Sequence, residues 1–192
     1  FNSNGPINPM VNAIPNILFE NKGRVFELNE KSGVMDYGIA RGSVHFDYDN
    51  DGDQDIFVVN QKPVNDVTYY GGVVGSKLYR NDSSNNNNWV KIKLKGNQST
   101  TRGLGARIRV VCSELKMIRE VDGGSSHASQ NTSIVHFGIG NNKKIDSLLV
   151  TWPGGKKQNL VDVMPNQLIE IEELFQAEPS FFDSIMNYFN WN

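Results

Sequence analysis

Apolar and polar side chains alternate through much of this chain. Trp89-Val90-Lys91-Ile92-Lys93-Leu94 and Ala106-Arg107-Ile108-Arg109-Val110 place every second residue on one face, the period of a half-buried strand. Shorter β-like runs lie at Ile17-Leu18-Phe19, Arg24-Val25-Phe26-Glu27-Leu28, Ser43-Val44-His45-Phe46 and Ile56-Phe57-Val58-Val59. Gly, Asn or Asp bounds each of them. Further strands are predicted at 116–121, 134–137, 147–151 and 167–172, with Trp152-Pro153-Gly154-Gly155 as a turn between two of them. The pattern predicts a mostly β, antiparallel fold.

The ends depart from this period. Residues 1–15 contain Pro6, Pro9 and Pro15, which bias their neighbours to extended geometry. This segment is read as an N-terminal arm, either disordered or an extended strand offering Ile7, Met10, Val11 and Ile14 to a neighbour. In the tail, Phe181, Phe182, Ile185, Met186 and Phe189 fall on one helical face behind Pro179, so 174–192 is predicted as a short amphipathic C-terminal helix. Packing on the chain's own sheet, docking to another subunit and lying on a membrane surface are the three uses of that face. Its polar side lacks the Lys and Arg that a membrane surface favours.

Asn16-Ile17-Leu18-Phe19-Glu20-Asn21 is echoed by Ser76-Lys77-Leu78-Tyr79-Arg80-Asn81. The two lie 60 residues apart, and a period of this size suggests propeller-type blades, of which a closed ring needs at least four. Residues 16–87 supply little more than one, leaving sheet edges to be paired or covered. The Asn-rich stretch 81–88 reads as a linker. The expected organisation is therefore an arm (1–15), a propeller-blade-like antiparallel unit (16–87), a β-sandwich or barrel-like domain (88–173) and the helix (174–192).

Composition narrows the function. The 192 residues carry 19 Lys+Arg against 21 Asp+Glu, a net charge of −2, which argues against a general nucleic-acid binder. No apolar run is long enough to span a bilayer. Cys112 is the single cysteine, so no intrachain disulfide reports an oxidising compartment, and it is read as a small core residue. A start at Phe1 is read as a processed chain or a fragment.

The chemistry concentrates in Asp47-Tyr48-Asp49-Asn50-Asp51-Gly52-Asp53-Gln54-Asp55. Carboxylates at loop positions 1, 3, 5 and 9 surround a glycine at position 6, which permits a sharp turn. Asp53, at position 7, is placed to offer its backbone carbonyl. Oxygen-only donors in a flexible loop favour Ca2+ over Zn2+ or Cu2+, and over Mg2+, which demands a stricter octahedron. Val58 occupies position 12 and strands flank the loop, so it is not an EF-hand; Asp55 takes the place of that missing ligand. The alternatives are a solvated acidic turn and an aspartyl-phosphate site, and the second lacks the alternating helix–strand pattern it needs.

Phe46 to Asn60, centred on this loop, resembles the calcium loop of FG-GAP/VCBS repeats, the blades of integrin-type propellers, and Asn16–Asn21 resembles a blade's opening strand. The second half is similar to the ASPIC/UnbV domain through Asn88 to Gly96, Gly103-Leu104-Gly105-Ala106-Arg107, His136-Phe137-Gly138-Ile139-Gly140 and Val150-Thr151-Trp152-Pro153-Gly154-Gly155. The resemblance implies secreted, extracellular or cell-surface proteins of a binding or adhesive kind, with no catalytic residues to carry over.

Other features point to no chemistry. Gly103-Leu104-Gly105 and Gly138-Ile139-Gly140 lack the third glycine and the helix of a nucleotide loop. His45, His127 and His136 are too scattered for a zinc site or a triad, and Ser125 and Ser126 lack a nucleophile elbow. Asn81, Asn97 and Asn131 open glycosylation sequons, and composition alone yields roughly two or three such sequons by chance.

The reading is a non-enzymatic extracellular module with Ca2+ at Asp47, Asp49, Asp51, Asp53 and Asp55. Its expected partners are copies of itself, met through sheet edges, the arm (Ile7, Met10, Val11, Ile14) and the tail (Phe181, Phe182, Ile185, Phe189), with cell-surface glycans or proteins as further candidates. The alternatives are a ligand-binding fragment of a larger secreted propeller protein and a glycan-active hydrolase using a carboxylate pair from distant positions.

Overall fold

A computed structural model describes residues 15–36, 38, 40–60, 75–82, 86–124 and 127–175. The apolar arm positions Ile7, Met10, Val11 and Ile14 and the tail positions Phe181, Phe182, Ile185 and Phe189 lie outside the described residues. The described residues form twelve strands and no helix. The chain divides into two compact units, 1–85 with 123–132, and 86–122 with 133–192.

In the first unit, β1 (Phe19–Asn21) and β2 (Phe26–Leu28) form a two-stranded antiparallel sheet. β3 (Ala40–Phe46), β4 (Asp55–Asn60) and β5 (Lys77–Tyr79) form a second sheet in the order β3-β4-β5. The two echoing hexapeptides thus meet different neighbours, β1 pairing with the strand after it and β5 with the strand before it. Val34 and Val58 are the buried apolar residues of this unit among those described. Phe19, Phe26 and Leu28, which the β1–β2 register puts on one face, are 54%, 70% and 45% exposed. A cleft of about 380 Å³ beside β3 is lined by Ile17, Leu18, Val34, Arg41, Ile56 and Val58, among others.

The second unit is built on a full core. β7 (Arg107–Cys112), β8 (Leu115–Glu120), β10 (Ile145–Thr151) and β11 (Lys157–Val163) make a four-stranded antiparallel sheet ordered β11-β10-β7-β8. β6 (Asn88–Lys95), β9 (Val135–Gly140) and β12 (Gln167–Glu172) make a three-stranded sheet ordered β12-β6-β9. Val90, Ile92 and Leu94 from one sheet join Ile108, Val110, Leu148 and Val150 from the other in a single buried cluster. Trp152 is fully buried there, its indole N–H donating to the Gln158 side chain. Neither sheet closes on itself, so the sandwich expectation holds and the barrel form does not.

The antiparallel expectation needs correction at β6 and β12, which pair in parallel from Gln167 opposite Val90 to Glu172 opposite Lys95. Parallel neighbours require a long crossover, supplied here by the intervening strands, most of which belong to the other sheet. Cross-strand pairs Lys93–Glu170 at 2.6 Å and Lys95–Glu172 at 3.1 Å lie along this pairing. β11 carries no strand signal in the sequence. It is an edge strand, and Lys157, Gln158, Asn159 and Asp162 mask its apolar residues.

The end of β12 is held by a buried carboxylate. Glu173 Oε2 accepts from the backbone N–H groups of Asn97, Gln98 and Ser99 at 2.9, 2.9 and 2.8 Å, and Oε1 accepts from the Ser99 hydroxyl at 3.0 Å. Burial acts to raise the Glu173 pKa, but the hydrogen bonds outweigh it and hold the group below the usual carboxylate range.

Candidate metal centre

Strand β3 ends at Phe46 and β4 begins at Asp55, with Phe46 directly opposite Asp55 in the register. The acidic segment is therefore the connection of a β-hairpin, eight residues (47–54) closed by Asp55 as the first residue of β4. It turns tightly because Asn50 and Gly52 adopt φ values of 65° and 98°, a region open to glycine and tolerated by asparagine.

Hydrogen bonds hold the loop in place. Gly52 N–H donates to Asp47 Oδ2 at 3.0 Å and Asp53 N–H to Asp51 Oδ1 at 2.8 Å. Asp55 is fully buried; its Oδ2 accepts from Tyr48 N–H at 2.7 Å and its Oδ1 from Asn81 N–H at 2.8 Å. Asn81 Nδ2 reaches the Gln54 carbonyl at 3.4 Å. Asp55 thus ties the loop to the segment after β5.

The fold brings carboxylate oxygens of Asp47, Asp49 and Asp55 within 4.8 Å of one another. Asp51 and Asp53 are not in that group; Asp51 caps the turn and Asp53 lies beside the cluster. Burial, then the charges of Asp51, Asp55, Asp47 and Asp49, push the Asp53 pKa upward. Among the described residues, Arg80 reaches Asp49 only at 4.0 Å and pairs more closely with Asp82, at 2.8 Å. Carboxylates this close repel one another unless a cation or a proton lies between them. The donor set, all oxygen and in a loop with two left-handed residues, fits a hard divalent cation.

The clamp on Asp55 by the N–H groups of Tyr48 and Asn81 was not legible from spacing, because backbone donors leave no mark in side-chain pattern. The sequon residues all use their side-chain amides. Beyond the Asn81 contact, Asn97 Nδ2 donates to Glu173 O at 2.8 Å, and Asn131 Oδ1 accepts from His45 N–H at 3.1 Å. Cys112 is buried in the core, and desolvation pushes its thiol pKa up.

Residues 96–177 match the family described as ASPIC and UnbV, so the second unit carries an ASPIC/UnbV domain. The chain is also similar to cartilage acidic protein 1 of Homo sapiens, 29% identical over 76% of this chain and 21% of the relative. It matches the protein of that name from Mus musculus at 28% over the same shares. The Xenopus tropicalis protein is 30% identical over 68% of this chain and 19% of its own length. The chain thus spans about a fifth of the length of these curated relatives.

Proposed function

We propose that this chain is a non-enzymatic extracellular module whose first unit is a calcium-stiffened FG-GAP/VCBS-like blade, and that it assembles with copies of itself. The convergence of Asp47, Asp49 and Asp55 within 4.8 Å carries the calcium part of the reading. The first unit buries little apolar surface among its described residues, and a small unit without a core needs a staple such as a metal. Calcium would be held by these carboxylates and would offset their repulsion, locking the β3–β4 hairpin against the segment that follows β5.

An extracellular setting is supported by relatives named for cartilage. Extracellular calcium modules bind at about 10⁻⁴–10⁻³ M, and that is the affinity expected here. Self-assembly is supported by the exposed Phe19, Phe26 and Leu28 face and by the open cleft beside β3, surfaces that a neighbouring chain would cover. The arm of residues 1–15 is assigned to this contact by strand addition.

Titration calorimetry on the full chain tests the calcium site. The wild type is expected to bind one Ca2+, and Asp47→Ala to weaken binding at least tenfold. Absence of binding at millimolar Ca2+, or equal binding by the variant, would overturn the site. For the arm, unchanged assembly after removal of residues 1–15 would rule out strand addition.

The ligand-binding alternative is favoured by one observation, the same cleft of about 380 Å³. A monomer in solution that still binds calcium would promote it.

A further inference from the structure

We infer that the outward face of the four-stranded sheet in the second unit is a docking surface for a linear polyanionic polysaccharide. Burial of Ile108, Val110 and Cys112 turns Arg107 and Arg109 outward on β7. Met117 packs on the core, so Lys116, Ile118 and Glu120 face outward on β8. On β11, Lys157 and Val161 stand opposite Thr151 and Ser147 of β10, on the same outward side. The register aligns these positions in rows across the sheet. Lys157, Thr151, Arg107 and Glu120 form one row; Asn159, Leu149, Arg109 and Ile118 the next; and Val161, Ser147, Val111 and Lys116 the third.

The face therefore carries four cations and one anion, on a chain whose net charge is −2. Glu120 is taken by Arg107 at 3.0 Å. Among the described residues, no carboxylate pairs with Arg109, Lys116 or Lys157. The other sheet of the same domain is different, because Glu170 and Glu172 meet Lys93 and Lys95 across the strands. With Lys91 beside them on β6, that face has three lysines to two glutamates, so the larger positive excess lies on the four-stranded sheet.

Geometry selects the partner class. Neighbouring strands are about 4.8 Å apart and alternate residues along a strand about 6.7 Å apart, so the cations, from Lys157 on β11 to Lys116 on β8 and from the first row to the third, spread over roughly 14 by 13 Å. A single small anion cannot reach them all, whereas a chain with repeating charges can. A face offers no free backbone edge, because its N–H and C=O groups are spent in the ladders, so an acidic peptide would lack the strand-addition contacts that peptides use. Ile118 and Val161, 65% and 62% exposed, are flat apolar ground between the cations for the C–H faces of sugar rings. Arginine suits the planar, bidentate recognition of sulfate-like groups. This inference is independent of the calcium reading.

The test uses heparin as the sulfated polysaccharide probe on the full chain, in calcium and in chelator. The wild type is expected to bind at low ionic strength in both, with affinity falling with salt as for release of about three counterions. Arg109→Thr/Lys116→Thr/Lys157→Thr, which keeps β propensity on an exposed face, is expected to lose about tenfold or more in affinity. Lys93→Thr/Lys95→Thr should stay within about twofold. In the wild type, heparin should protect Lys116 and Lys157 from acetylation but leave Lys93 and Lys95 reactive, a readout that needs no variant. No binding by the wild type, equal loss in both variants, an unchanged triple variant or protection of the wrong lysines would overturn the assignment. Equally tight binding of polyglutamate or of anionic vesicles at matched charge would overturn the polysaccharide class.

Discussion

Replacing Glu173 should unfasten the second unit at one point. In Glu173→Ala the N–H groups of Asn97, Gln98 and Ser99 and the Ser99 hydroxyl lose their shared acceptor. Hydrogen bonds to a charged group contribute about 1.5–3 kcal/mol each, so four would sum to roughly 6–12 kcal/mol if none were replaced. Asn97 and Gln98 are exposed, and water will satisfy part of that turn. The expected loss is therefore about 3–4 kcal/mol, while Glu173→Gln, which retains one acceptor, should lose about 1–2 kcal/mol. Urea unfolding followed by tryptophan fluorescence reads this, because Trp152 is buried in the same unit's core. The sign of the pH effect follows from the lowered Glu173 pKa. Its contribution is present above the unfolded carboxylate value of about 4.3 and disappears as pH falls through the folded value. Glu173→Gln should flatten that acid limb without abolishing it, since Glu172, hydrogen-bonded by Asn97 and Lys95, is also held below the usual range. A loss under about 1 kcal/mol in Glu173→Ala, or an unchanged acid limb in Glu173→Gln, would refute the clasp.

Two further substitutions separate local effects. Asp55→Asn should destabilise the first unit by about 1–3 kcal/mol even in chelator, because an amide NH2 would face the N–H of Tyr48 or Asn81. It should weaken calcium binding as well, and calorimetry together with thermal unfolding in chelator reads the two effects apart. Gly103→Ala combines a φ of 67° with a new Cβ 2.7 Å from Leu94 Cβ. A loss of about 2–4 kcal/mol is expected by urea unfolding, and wild-type stability would show that the 100–105 turn gives way freely.

Much of the sandwich was legible because its central strands bury alternate apolar residues. Trp89 to Leu94 alternates as β6 does, with Val90, Ile92 and Leu94 at 0%, 0% and 3% exposure. The same pattern is silent on direction, since alternation encodes a face and not a polarity, and so the parallel β6–β12 pairing was invisible. β11 was missed for a related reason, as an edge strand can afford polar residues on both sides. Glu173 gave no signal either; beside Glu172 it reads as a second solvated acid, and only the N–H groups of the 97–99 turn distinguish it. In the acidic loop, the spacing marked five candidate carboxylates. Which of them converge depends on the left-handed Asn50 and Gly52, and the asparagine conformation does not follow from composition.

Size-exclusion chromatography with light scattering, on one sample first in calcium and then in chelator, tests the central claim most directly. Species larger than the 21.5 kDa chain in calcium that fall to the monomer in chelator are the expected result. A monomer in both buffers would contradict calcium-organised assembly.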